Sequence, residues 1–172
     1  MLFKTETDKF VDREVKSMEK NFIRVCKTAN KFLTLKDINT TERNELFLKA
    51  QAELTALFKA ITDSRENNVK TMYEILFELM KPFDIPNITK ENIIAIYTNV
   101  RKNPTQYITS EISIATIRKT RKLERSLKVR QKLELFSFEM QKEICDIQQT
   151  LSLHLINSRG DYNDIRWRRK TI

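Results

Sequence analysis

Hydrophobic and polar positions recur at helical spacing along nearly the whole chain, most regularly from Glu111 to Ser158, 48 residues without a Gly or Pro. That run predicts one unbroken helix of about 70 Å. In its second half Leu133, Phe136, Met140, Ile144, Ile147, Leu151 and Leu155 form a seam with steps of 3, 4, 4, 3, 4 and 4. This is close to the 3.6 period of a straight helix rather than a strict heptad. Phe138, Cys145 and Ile156 give the same half a second, opposite apolar face. The first half has one apolar face, Ile112, Thr116, Leu123 and Leu127, and opposite it a basic stripe. At about 100° per residue, Arg118, Arg121, Lys122, Arg125, Lys128 and Lys132 fall within an arc of roughly 120°. One end of the helix is therefore expected to be buried on two sides, while the other turns its second side to something negative.

Upstream, Val11, Val15, Met18, Phe22, Val25, Ala29 and Phe32 step 4-3-4-3-4-3, a coiled-coil rhythm that predicts a first helix from about Thr7 to Leu35. Ile23, Cys26 and Leu33 widen its stripe, as in a helix packed into a bundle. A break follows over Lys36–Thr41, where Asn39 and Glu42 have the spacing of a capping box. The second helix, about Thr41 to Lys81, carries Leu46, Ala50, Leu54, Leu57, Ile61, Val69, Met72, Leu76 and Leu79, with a polar interruption at Asp63–Asn68. Pro82 and Pro86 end or bend it, because proline removes a backbone donor and clashes with the preceding turn. Thr89 is placed to cap a short continuation, about 90–102, and Asn103-Pro104 to turn into the third helix, about 108–158. A short basic tail, 159–172, holds Trp167. The connections predict three long antiparallel helices in one elongated coiled-coil bundle, a single domain over 1–172.

Composition agrees with an all-α fold: Gly occurs once and Pro three times, while 32% of residues are charged and 40% hydrophobic. The net charge of +9 predicts an acidic partner, and charge alone does not separate nucleic acid from anionic membrane. Cys26 and Cys145 are far apart and sit at apolar helical positions, which points to a reducing compartment and no disulfide. Met1 to Asp8 lacks the apolar core of a signal peptide, and no apolar run approaches the roughly 20 residues that span a bilayer. A cytoplasmic protein with at most peripheral membrane contact is expected.

Catalytic chemistry is not legible. The single histidine, His154, lies beside the apolar seam with no acid three or four positions before it, so packing or an interface is its expected role rather than metal binding. Asp63 and Arg65 are expected to form a surface or interfacial ion pair. No nucleophile elbow surrounds any serine. The expectation is a non-enzyme without cofactor or metal. Arg118, Lys119, Arg121, Lys122, Arg125, Lys128, Arg130 and Lys132 face only one acid, Glu124, over the same stretch. A solvated face normally mixes signs in i,i+4 pairs, so this imbalance points to a ligand. At an anionic bilayer each basic residue that reaches the surface contributes on the order of 1 kcal/mol. Phosphates of RNA or DNA would serve equally, but aromatic residues interleaved with the bases and a short recognition helix are both missing, and nucleic acid is not expected. An acidic protein partner for a helical scaffold is the alternative.

The plan of three helices, with one doubly apolar end and one basic-faced end, resembles the BAR (Bin/amphiphysin/Rvs) domain, most closely the Chibby-interacting BAR-domain proteins of the ciliary base. Four stretches carry the resemblance: Val15-Lys-Ser-Met18-Glu19-Lys20-Asn-Phe22-Ile-Arg-Val25-Cys26; Asp63-Ser-Arg65-Glu-Asn-Asn-Val69 with Glu78-Leu-Met-Lys81; Asn103-Pro104; and Phe138-Glu139-Met-Gln141-Lys142 with Asp146-Ile147. In the last, Asp146 sits one place late. The chain is shorter than the family at both helix junctions, and Pro82 and Pro86 stand where the family continues a helix. The resemblance implies a homodimer with a central six-helix bundle, its interface at Phe136, Met140, Ile144, Ile147, Leu151 and Leu155. It further implies that the basic stripe contacts anionic, curved membrane and that a Chibby-like coiled-coil protein is a partner at the ciliary base or centriole.

Overall fold

The computed structural model describes residues 4–35, 40–103 and 113–157. Among them are four helices, α1 (Glu6–Thr34), α2 (Thr40–Met80), α3 (Ile93–Lys102) and α4 (Ile114–Asn157), and no strand. The chain is all-α. The expected cap at Asn39, the turn at Pro104 and the basic tail lie outside the described residues.

Local chemistry sets the helix ends. Thr5 and Asp8 form a reciprocal capping box at the start of α1: the Asp8 carboxylate accepts from the Thr5 backbone N–H at 2.9 Å, and the Asp8 N–H donates to the Thr5 hydroxyl at 3.1 Å. α4 opens at Ser113, whose hydroxyl accepts from the Thr116 N–H at 3.1 Å. It thus begins later than the apolar pattern implies. After Met80 the chain leaves helical geometry until Ile93, so the stretch beyond Pro82 and Pro86 is a separate helix rather than a continuation. In that connection Asn87 adopts φ 62°, a conformation asparagine tolerates, and its carbonyl accepts from the Asn92 side chain at 2.9 Å. Thr89 and Asn92 exchange side-chain and backbone bonds of 2.7 and 3.3 Å, which starts the turn leading into α3.

The capping box makes a pH prediction. The Asp8 carboxyl is held below its ordinary value of 3.8, first by the Thr5 backbone bond, then by the Thr5 hydroxyl, with the charge of Arg125 adding and desolvation opposing. A carboxyl with a depressed folded-state pKa contributes stability that is present above the unfolded value and is lost as pH falls through the folded one. Asp8→Asn is therefore expected to lower the melting temperature near about pH 7 and to lower it less near about pH 3. Thermal unfolding at both pH values checks this, and an equal loss at both would assign the effect to packing instead.

Contacts divide the chain into two compact units, Met1–Asp12 with Arg65–Glu134 (unit 1) and Arg13–Ser64 with Leu135–Ile172 (unit 2). Unit 1 has its core where α3 lays Ile93 and Val100, seven residues apart and so on one face, against Ile75, Leu76, Leu79 and Met80 of α2 and Leu127 of α4. α2 and α4 run antiparallel there, as the pairs Arg65–Glu134 and Glu78–Lys119 show. In unit 2, Met18, Val25, Ala29 and Phe32 of α1, Ala50, Leu54, Leu57 and Ile61 of α2, and Met140, Ile144 and Leu151 of α4 are buried. Phe32 meets Phe47 while Ser64 meets Glu14, so α1 and α2 are antiparallel in this unit. α4 is antiparallel to α2, with Gln51 bonded to the Gln148 carbonyl at 3.0 Å and Gln141 to Thr62 at 2.7 Å.

Candidate functional site

The basic stripe lies on the α4 segment of unit 1. Leu127 and Leu123 turn into the core, which leaves the opposite side of the helix to solvent. Arg118, Arg121, Lys122, Lys128 and Lys132 are exposed and form no ion pair among the described residues. The other three bases are partly occupied. Lys119 reaches Glu78 at 3.5 Å, a carboxylate also held by Lys81, and Arg125 reaches Asp8 at 3.3 Å. Arg130 departs from the expected membrane-facing role. It is half-buried, donates to the Asn68 side-chain oxygen at 3.1 Å, and stacks its guanidinium 4.9 Å from the centre of the Phe10 ring. Burial disfavours its charge, an effect that the carboxylate of Glu74 opposes.

The polar interruption of α2 belongs to this structure too. Arg65 pairs with Glu134 at 2.7 Å and not with Asp63, which is exposed. Asn68, only 1% exposed, donates to the Arg130 carbonyl at 2.9 Å, which satisfies its own buried amide. Its importance had a sequence signal. Ile61, Arg65, Asn68 and Met72 keep the 4-3-4 spacing of the stripe, so the polar pair occupies core positions instead of interrupting them.

The residues expected at a dimer interface fall differently. Met140, Ile144 and Leu151 are buried by unit 2's own helices, and Phe136, Ile147 and Leu155 are half-buried. The apolar face left open is the other one: Leu135 is 67% exposed, Phe138 52% and Ile156 70%, with Cys145 exposed between them. Helical projection places these four within about 80° of one another. The physical reason is that the richer seam fills the intrachain core, which leaves the sparser stripe outside. Ile23 is likewise exposed at 60%, not part of the α1 stripe. His154 packs in unit 2, its ring edge-on to Phe32 with centroids 5.2 Å apart. Cys26 is half-buried, and burial pushes its thiol up.

Beside the stripe, α3 and α4 of unit 1 border an open cavity of about 290 Å³ lined by Tyr97, Arg101, Arg121, Glu124, Arg125, Leu127, Lys128 and Gln131. Arg101 was not legible as a site residue, because only the turn after Pro86 carries α3 back along α4. Among the described residues no group of three His, Cys, Asp or Glu side chains is placed to hold a metal ion, and no helix is long and apolar enough to cross a membrane. Comparison with known protein families, with curated proteins and with solved structures finds no match for this chain.

Proposed function

We propose that this chain is a helical module that binds anionic phospholipid membrane through the outward side of α4 in unit 1, in the manner of a BAR-type dimer. The observation that carries this reading is the row Arg118, Arg121, Lys122, Lys128 and Lys132, exposed and without ion pairs among the described residues. A basic face of this kind gains free energy from a surface of opposite sign, and the gain is screened by salt. The exposed apolar side of α4 in unit 2, Leu135, Phe138, Cys145 and Ile156, supports the dimeric part of the reading, because a second copy would cover it. By this reading the dimer joins two such units into a six-helix centre, favours curved bilayers and works with a Chibby-type coiled-coil partner at the ciliary base.

Co-sedimentation with vesicles tests the proposal on protein whose mass is read by light scattering. The expected result is a particle of twice the 20.5 kDa chain mass that pellets with vesicles containing phosphatidylserine, stays in solution with phosphatidylcholine alone, and is released by salt. A dimer that stays in solution with every vesicle composition would overturn the membrane reading in favour of a scaffold that binds an acidic protein.

A further inference from the structure

We infer that the cavity between α3 and α4 in unit 1 is a binding site for a compact ligand carrying clustered phosphate groups. The inference rests on the membrane reading only in sharing Arg121, Arg125 and Lys128 with the stripe, and it names the headgroup chemistry the site would select. These three residues stand at i, i+4 and i+7 of α4, on one side of the helix. The fold then adds a fourth base from a different element, Arg101 in the last turn of α3. Four basic residues thus line a space of about 290 Å³ with one carboxylate, Glu124, among them. Bringing like charges together is unfavourable unless an anion joins them. The carboxylates of the chain do not fill that role: among the described residues Arg101, Arg121 and Lys128 form no ion pair, and Arg125 is held from outside by Asp8.

The donor set fits phosphate. Three guanidiniums offer planar forks that bind two oxygens at once, and one ammonium adds a mobile point charge. The Gln131 amide and the Tyr97 hydroxyl supply neutral donors for ring hydroxyls or bridging oxygens. Tyr97 stays a phenol: burial raises its pKa first and Glu124 raises it further, while Arg101 opposes both. Tyr97 is the one aromatic ring among the lining residues, so the space suits a small, densely charged ligand better than a nucleic acid strand with stacked bases. A soluble phosphorylated polyol and a phosphorylated lipid headgroup present the same chemistry.

Titration calorimetry of the full chain with inositol hexakisphosphate at physiological ionic strength is the first test. Saturable one-to-one binding is expected, weakened about tenfold or more by the double variant Arg101→Ala, Tyr97→Phe, which touches no stripe residue. The charge-matched variant Lys27→Ala, on α1 in unit 2, is expected to bind as the parent does. Binding with several equivalents per chain, or binding that the double variant leaves intact, would overturn the site. A second arm compares vesicles of equal total charge made with phosphatidylserine or with phosphatidylinositol bisphosphate. Preference for the latter, lost in the double variant and reversed by the soluble compound, assigns the site to a lipid headgroup. Tight calorimetric binding without that preference assigns it to a soluble ligand. Pelleting with both lipids alike, and no calorimetric binding, would remove the site while leaving the membrane reading intact. Calorimetric binding without any pelleting would do the reverse.

Discussion

Replacing Arg118, Lys122 and Lys132 together by Glu is expected to weaken binding to phosphatidylserine vesicles by at least about a hundredfold. Each base near an anionic surface contributes on the order of 1 kcal/mol, so removing three costs about 3 kcal/mol before the added repulsion counts. The fold is expected to survive. All three are exposed, none has an ion-pair partner among the described residues, and Glu has a helix propensity close to those of Lys and Arg. Position 118 lies near the start of α4, where a carboxylate is favoured by the helix dipole.

The choice of residues decides whether the result is interpretable. Reversing Lys119 or Arg125 would put a second carboxylate beside Glu78 or Asp8, and reversing Arg130 would take the donor from the Asn68 side-chain oxygen, so lost binding would then be confused with lost stability. With the exposed three, circular dichroism and vesicle pelleting report separate properties. Unchanged helicity with unchanged pelleting would show that α4 meets no membrane through this stripe.

Periodicity made most of the helical organisation legible, because a long apolar stripe at helical spacing has few other ways to be buried. It also separated the basic side of α4 from its apolar side, as Leu123 and Leu127 confirm by facing the core. Periodicity does not say which of two apolar faces is filled by the chain itself. Met140, Ile144 and Leu151 therefore read as an interface with a second copy although unit 2 buries them, whereas Phe138 and Ile156 are the exposed ones. Polar residues at core spacing posed a related difficulty. Arg65 and Asn68 look like a gap in the stripe until Glu134 and Arg130 are seen opposite them, since a partner 62 or 69 positions away leaves no local mark. The cavity beside Arg101 was hidden for the same reason, as it depends on where α3 returns.

Phe32→Ala is expected to destabilise the protein by about 3–5 kcal/mol and to lower its melting temperature by about 6–20 °C. The ring is fully buried and meets the other two helices of unit 2 at one place. His154 of α4 packs edge-on at 5.2 Å, Phe47 of α2 lies 5.6 Å away, and the Arg43 guanidinium sits 5.6 Å over the ring while donating to the His154 carbonyl at 3.1 Å. Truncation removes the aromatic contacts and the surface on which Arg43 rests, so a cavity and a loosened cation are created together. Phe32→Leu keeps most of the volume and is expected to lose less. The comparison that tests the orientation of α4 is Ile156→Ser. Ile156 is 70% exposed on the same helix, so its replacement is expected to change the intrinsic stability of the chain by no more than about 0.5 kcal/mol, measured at a dilution where light scattering shows one chain. At higher concentration the same variant is expected to reduce self-association, because it places a hydroxyl on the apolar face proposed to meet the second copy. Should Ile156→Ser unfold the isolated chain as readily as Phe32→Ala, the inner and outer faces of α4 would have to be exchanged, and the proposed dimer surface with them.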